Sequence, residues 1–260
     1  MNKPTLTDIQ SVADDCLKDR AILITGAGDG IGKAAALAYA KAGANIVLLG
    51  RTQEKLEAVY DEIEQTTDTR PTIFPYDLNT LSFDVAQEMA HAAEQEYGRL
   101  DGLLLNASVL GSKMSIAQYP EQHWDDVMNI NVNSSFYLTK AFLPLLEASE
   151  QGRLIFTSSS VGREGRAYWG AYAVSKFATE GLMQVLASEL GTTTSVRTFA
   201  INPGGTRTAM RASAYPGENP DTIPKPDEHM PLYRFLMSDA AAEFNGLSLD
   251  AYDYLERTAD

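Results

Sequence analysis

Tyr172-Ala173-Val174-Ser175-Lys176 sets a phenol and an ammonium four residues apart, a spacing that puts both on one face of a helix. A free phenol titrates at about 10 and is a poor base at neutral pH. A cation held beside it stabilises the phenolate and brings it towards the working range. The same spacing is common on solvated helix faces, so the pair gains weight only from its company. Part of that company is Thr25-Gly26-Ala27-Gly28-Asp29-Gly30-Ile31-Gly32, between an apolar run and an Ala-rich segment. Glycines after a strand let the backbone approach a pyrophosphate, and the helix that follows offers free N–H groups and partial positive charge. Further along, Gly50-Arg51-Thr52 ends the second apolar run without a carboxylate for ribose hydroxyls. The planar guanidinium of Arg51 suits a 2′-phosphate. That corner favours NADP; Asp29 brings a negative charge nearby, and NAD stays as the alternative.

These residues need a frame. Apolar runs of strand length alternate with helix-like segments from Ala21 to about Ala251, which predicts a parallel sheet with helices on both faces. Strands are expected at 21–25, 45–49, around 72–76, at 100–105, 153–158, 195–201 and 247–250. Helices are expected at 31–42, ended by Gly43, and at 53–65, 82–97, 121–147 with Pro144 inside, 171–190 and 232–237. Five prolines between Tyr215 and Pro231 break regular structure, so residues 211–232 are expected to form a loop that serves as a substrate lid. Residues 1–16 form a leader and 252–260 an acidic tail around a single domain.

Composition narrows the function. Hydrophobic residues make up 44% and charged residues 22% of 260, which suits one globular core. Asp and Glu outnumber Lys and Arg 35 to 21, for a formal charge of -14. That field repels phosphate backbones and anionic bilayers, so neither nucleic acid nor membrane is an expected partner. No segment reaches the roughly 18 apolar residues of a spanning helix, and the start lacks a signal-peptide run. Cys16 is the single cysteine, consistent with a reducing, cytoplasmic setting. His91, His123 and His229 lack metal-ligand spacing, so no catalytic metal is expected.

Taken together, the motifs resemble those of the short-chain dehydrogenase/reductase family from about Leu17 to Ala251. The family's Thr-Gly-x-x-x-Gly-x-Gly is similar to Thr25–Gly32, its Asn-Ala-Gly to Asn106-Ala107-Ser108, its Tyr-x-x-x-Lys to Tyr172–Lys176 and its Pro-Gly stretch to Asn202-Pro203-Gly204. Ser108 and Thr206 depart from the usual glycine and Val or Ile. The resemblance implies a single-domain Rossmann fold, α/β, with a doubly wound parallel seven-stranded sheet. It also implies a catalytic serine twelve or thirteen residues before the tyrosine, Ser159 with Ser160 as competitor, and a helix asparagine, Asn131 with Asn129 and Asn133 as alternatives. By the same resemblance Tyr172 exchanges a proton with the substrate oxygen and Ser159 steadies that oxygen. Lys176 contacts the nicotinamide ribose and lowers the tyrosine pKa, while Asn131 helps hold a water leading to Lys176. Asp77 and Leu78 are implied near adenine, Asn106 and Ala107 near the adenosine ribose, and Pro203, Gly204, Thr206 and Thr208 around the nicotinamide. The cofactor contacts at the turn are Gly26, Gly28, Asp29, Gly30, Ile31 and Gly32.

The expected substrate is a small carbonyl or alcohol. Candidate walls of its pocket are 109–116, 163–169 and the lid. Arg163 and Arg166 would suit an anionic substrate or lie solvated, and Trp169 would shape the pocket or pack between subunits. A homodimer or homotetramer through the segments 121–147 and 171–190 follows by analogy. The competing function is a non-catalytic dinucleotide-binding sensor or scaffold.

Overall fold

Seven strands form one sheet in the computed structural model, which describes residues 2–255: β1 (Ala21–Thr25), β2 (Asn45–Gly50), β3 (Thr72–Pro75), β4 (Gly102–Leu105), β5 (Arg153–Thr157), β6 (Arg197–Asn202) and β7 (Leu247–Asp250). Their order is β3-β2-β1-β4-β5-β6-β7, and every neighbouring pair is parallel. The helices are α1 (Leu6–Gln10), α2 (Gly30–Lys41), α3 (Gln53–Thr66), α4 (Phe83–Tyr97), α5 (Glu121–Met128), α6 (Ser134–Glu147), α7 (Gly170–Leu190), α8 (Ala209–Ala214) and α9 (Met230–Met237).

Successive strand residues point to opposite faces, and both faces are covered. Ile22, Ile24, Ile46, Leu48 and Ile155 pack with Ala35, Leu56, Val59 and the α9 residues Tyr233 and Leu236. Leu23, Val47, Leu103, Leu154 and Phe156 pack with α4, α6 and α7 through Ala90, Phe142 and Met183. Burial on both sides explains why these strands read as unbroken apolar runs. The strand order reverses at β1 and β4, and in such sheets a crevice opens there beyond the C-terminal strand ends.

Two expectations needed correction. The helix expected over 121–147 is interrupted by a π-helical segment, Asn129–Asn133, before α6 continues through Pro144. The expected loop at 211–232 is largely structured. It holds the end of α8, two 3₁₀ turns at Pro220–Thr222 and Pro226–His229, and the start of α9. Pro220, Pro226 and Pro231 stand at first or second positions of these turns, where a missing N–H costs nothing. Residues 6–10 of the leader form α1. Thr5 and Asp8 form a capping box on α1, Ile9 is buried in the core, and Arg234 on α9 donates to the Ala13 carbonyl at 2.9 Å. Of the acidic tail, residues 256–260 lie outside the described residues.

Candidate active site

At the end of β1 the chain turns through Gly26 and Gly30, with φ of 68° and 53°, a left-handed backbone that favours glycine. Gly32 lies against the Gly26 carbonyl, and a Cβ there would also stand 2.8 Å from the Asn106 side chain. Asn106 ties three strand ends together. Its N–H donates to Thr25 Oγ1 at 2.9 Å, its Nδ2 to the Thr25 carbonyl at 3.2 Å, and its Oδ1 accepts from Thr157 at 3.1 Å. The neighbouring Ala107 N–H also donates to Thr25 Oγ1. Thr208 caps α8, and its methyl comes within 3.2 Å of the place a Cβ on Gly30 would take.

Asp29 is the N-cap of α2, its Oδ1 accepting from the Gly30 N–H at 2.7 Å. Its other oxygen is 2.6 Å from Lys55 Nζ, and that hydrogen bond holds the Asp29 carboxyl below its usual range. Lys55 was not foreseen. It sits on the first turn of α3, four residues after Arg51, and borders the same cleft as Arg51, Thr52, Asp77 and Leu78. Cation spacing after β2 was the one signal that could have found it. Asp77 caps the 3₁₀ turn that begins at Leu78, accepting from the Asn79 N–H at 3.0 Å.

The cleft has a cavity volume of about 420 Å³ and runs from this turn to Ser159, Tyr172, Pro203 and Gly204. Ser159 lies beside the Tyr172 phenol, whereas Ser160 opens the next 3₁₀ turn. Burial pushes the phenol up to about 12, and the Ser159 hydroxyl pulls the other way. The phenol is thus raised by its surroundings here, with Ser159 as the opposing contact. Lys176 is on the same helix face, but its ammonium donates to the Thr157 carbonyl at 2.7 Å and stands 5.5 Å from the phenol ring centre. Burial pulls Lys176 itself down to about 8, opposed by Glu180.

Asn131 is the buried asparagine of the π segment. Its Oδ1 accepts from the Val109 N–H at 2.8 Å, and its Nδ2 donates to the Val109 carbonyl and to Ser175 Oγ, both at 3.0 Å. Both amide protons are thus engaged, and its main-chain oxygen accepts from Ser135 Oγ at 3.1 Å. Asn129 and Asn133 instead bond to Asn79 and to each other.

Around Tyr172 the walls are apolar. The Trp169 ring lies 5.8 Å from Tyr172 and 6.0 Å from Tyr215, and Leu110 and Met210 join them. Lys113 donates to the Ala214 carbonyl at 2.9 Å and stands 4.7 and 4.6 Å from the Trp169 and Tyr215 ring centres. Arg211 forms a two-pronged pair with Glu218. Neither Arg163 nor Arg166 is among the described residues that wall the cleft. Arg163 is drawn to Asp250, at 2.7 Å, and to Ser248, at 3.0 Å. Thr206 explains its departure from Val or Ile. Its hydroxyl meets the Pro203 carbonyl and His229 Nε2, both at 2.9 Å, while burial pulls His229 down to about 4 and keeps it neutral.

A model of the short chain dehydrogenases matches residues 20–219. The oxidoreductase YciK of Escherichia coli (strain K12) is 52% identical over 237 residues, 91% of this chain and 93% of its own. A short chain dehydrogenase from Shigella flexneri 2a str. 301, solved with NADP, has a TM-score of 0.90 at 52% identity, covering 92% of this chain and 100% of that one. Another, from Escherichia coli CFT073 with NADPH, has a TM-score of 0.89 at 51% identity, covering 92% and 99%. A glycine-rich turn at the strand-order reversal, facing a serine, a tyrosine and a buried lysine, therefore has close counterparts along nearly the whole chain, and the chain belongs to the short chain dehydrogenase family of oxidoreductases.

Proposed function

We propose that this oxidoreductase interconverts a carbonyl and an alcohol with NADP(H), Tyr172 exchanging the proton. The observation that carries this reading is that Ser159 and Tyr172 border the same cleft as the left-handed glycine turn and Arg51. The residues fit a phosphorylated dinucleotide. Gly26, Gly28, Gly30, Ile31 and Gly32 leave backbone open to a pyrophosphate. Arg51 is exposed and has no side-chain partner among the described residues, and Lys55 stands one helical turn away. The relatives solved with NADP and NADPH favour the 2′-phosphorylated form over NAD. Asp77, Leu78, Asn106 and Ala107 would flank the adenosine half, and Pro203, Gly204, Thr206 and Thr208 the nicotinamide half.

When bound, the cofactor supplies or takes up hydride at nicotinamide C4. The chain's residues handle the oxygen. A phenol near 12 carries its proton at neutral pH, so Tyr172 serves as the acid for a carbonyl oxygen. Ser159 donates to that oxygen and steadies its charge. The Lys176 ammonium offsets the phenolate left behind, a function it loses when pH rises through about 8. Asn131 holds Val109 and Ser175 in register behind the pair.

Phe136, Val174, Phe177 and Val185 are exposed on α6 and α7, which supports pairing of two copies through those helices. The enzymatic reading is tested by offering a panel of apolar, aromatic and acidic carbonyls with NADPH and following its absorbance. Consumption with at least one compound is expected, together with weaker activity on NADH. Tight NADPH binding with no turnover across carbonyls and alcohols would instead mark a sensor.

A further inference from the structure

Lys176 has an acidic neighbour that the proton-transfer scheme leaves unused. Glu180 lies one helical turn further along α7 and is buried, at 5% exposure. Its Oε1 accepts from Ser158 Oγ at 2.6 Å and from Ser248 Oγ at 2.9 Å, and Arg163 Nε stands 3.4 Å away. Ser158 directly precedes Ser159. The turn Ser160–Gly162 closes over this face of α7. A Cβ on Gly162 would meet the Lys176 carbonyl oxygen at 2.7 Å, so backbone is packed on backbone with no room for a side chain.

We propose that Glu180 is a positioning residue for the reaction. It is the carboxylate that keeps the Lys176 ammonium charged inside the fold, and it anchors the serine segment that presents Ser159 to Tyr172. This role presupposes the Tyr172 chemistry proposed above. The charges alternate across three elements: Lys176 and Glu180 on α7, Arg163 after β5, and Asp250 on β7, whose Oδ2 is 2.7 Å from Arg163 Nη1 and whose Oδ1 accepts from Asn202. Among the described residues, Tyr172 on the same helix also faces Lys176, and the Tyr233 phenol of α9 lies beside Thr157, whose carbonyl holds the ammonium.

An unpaired buried ammonium is driven towards neutrality by desolvation, and a carboxylate close by opposes that drive. Glu180 does so for Lys176, which burial alone would pull further down. Arg163 works in the opposite direction, because its positive charge weakens the field that Glu180 sends to Lys176. The arrangement thus makes two predictions of opposite sign, a pattern that loss of packing would not produce.

The experiment follows carbonyl reduction against pH for the parent, Glu180→Gln and Arg163→Gln, with Tyr172→Phe as the control. Gln keeps an oxygen acceptor for Ser158 and Ser248 but carries no charge. The alkaline fall in kcat/KM is expected to move to lower pH by about one unit in Glu180→Gln and to higher pH in Arg163→Gln. Glu180→Asp should restore the parent limb in part. A second readout needs no cofactor. The folded-state pKa of Lys176 lies below its ordinary value, so stability rises with pH between the two and is lowest beneath them. Removing Glu180 lowers the folded pKa further, so the Tm deficit of Glu180→Gln should widen as pH falls below about 8. Loss of hydrogen bonds alone would give a constant deficit. Should Glu180→Gln fail to fold, the upward shift in Arg163→Gln decides the matter. Limbs that stay at the parent pH, or that move in the same direction in both variants, overturn the role of Glu180. Activity surviving in Tyr172→Phe would instead overturn the proton-transfer reading beneath it.

Discussion

Protonation at Tyr172 and Lys176 is governed by burial more than by their mutual contact. The phenol near 12 and the ammonium near 8 are both displaced towards their neutral forms by desolvation. Between neutral pH and about 8 the pair therefore consists of a protonated phenol and a charged lysine, the state that suits reduction of a carbonyl. Reduction by the parent should be flat below that range and fall as pH rises through about 8, as read from kcat/KM profiles. A rate that climbs through the same range would mean that the phenolate drives the measured direction. At the other end of the cleft, Arg51 and Lys55 present two cations where the 2′-phosphate is proposed to sit. Arg51→Glu and Lys55→Met should each weaken NADPH by about tenfold, the equivalent of one charge-assisted hydrogen bond, and leave NADH within about twofold. Fluorescence titration measures both. Arg51 was legible because the end of a second strand is a known position in the motif. Lys55 and Glu180 were not, because each acquires its meaning from a partner distant in sequence, Asp29 for one and Ser158 with Arg163 for the other.

Strand positions were readable to within a few residues, since Ala21–Thr25 is an apolar run and Leu247–Asp250 alternates apolar and polar residues. The helix ends at Gly98 and Gly43, both with positive φ, show how plainly glycine punctuates a chain. Two elements escaped. The π segment, Asn-Ile-Asn-Val-Asn, carries no sequence mark of its wider turn. Its register is set by Asn131 reaching Val109, 22 residues earlier. In the region 211–232 the prolines that suggest a loop stand in first helical turns, where proline is compatible with the fold. Asn131→Ala should cost about 2–4 kcal/mol, because the Val109 N–H and carbonyl lose their partners in a buried setting. Urea unfolding checks this, and a loss under about 0.5 kcal/mol would show that water replaces the amide.

Across the whole molecule, the chemistry gathers on one edge of the sheet. β1, β2, β4, β5 and β6 all deliver functional residues just beyond their C-terminal ends: the glycine turn, Arg51, Asn106, Ser159 and Pro203. Parallel strands with helical crossovers bring residues far apart in sequence to that edge, which is why motifs from 25 to 208 converge. The helices α6 and α7 leave Phe136, Phe177 and Val185 exposed on the outside. If two copies pair there as proposed, the parent should run as an oligomer in light scattering and Phe177→Glu as a monomer with NADPH binding intact; a monomeric parent, or an unchanged mass in the variant, would contradict that pairing. Among the described residues no helix is long and apolar enough to cross a membrane. The central claim, that Tyr172 transfers the proton within this cleft, is tested most directly by single-turnover reduction of one accepted carbonyl by the parent and by Tyr172→Phe, each saturated with NADPH. The predicted result is equal NADPH affinity with a rate lower by about a thousandfold; a Phe variant within about tenfold of the parent would contradict it.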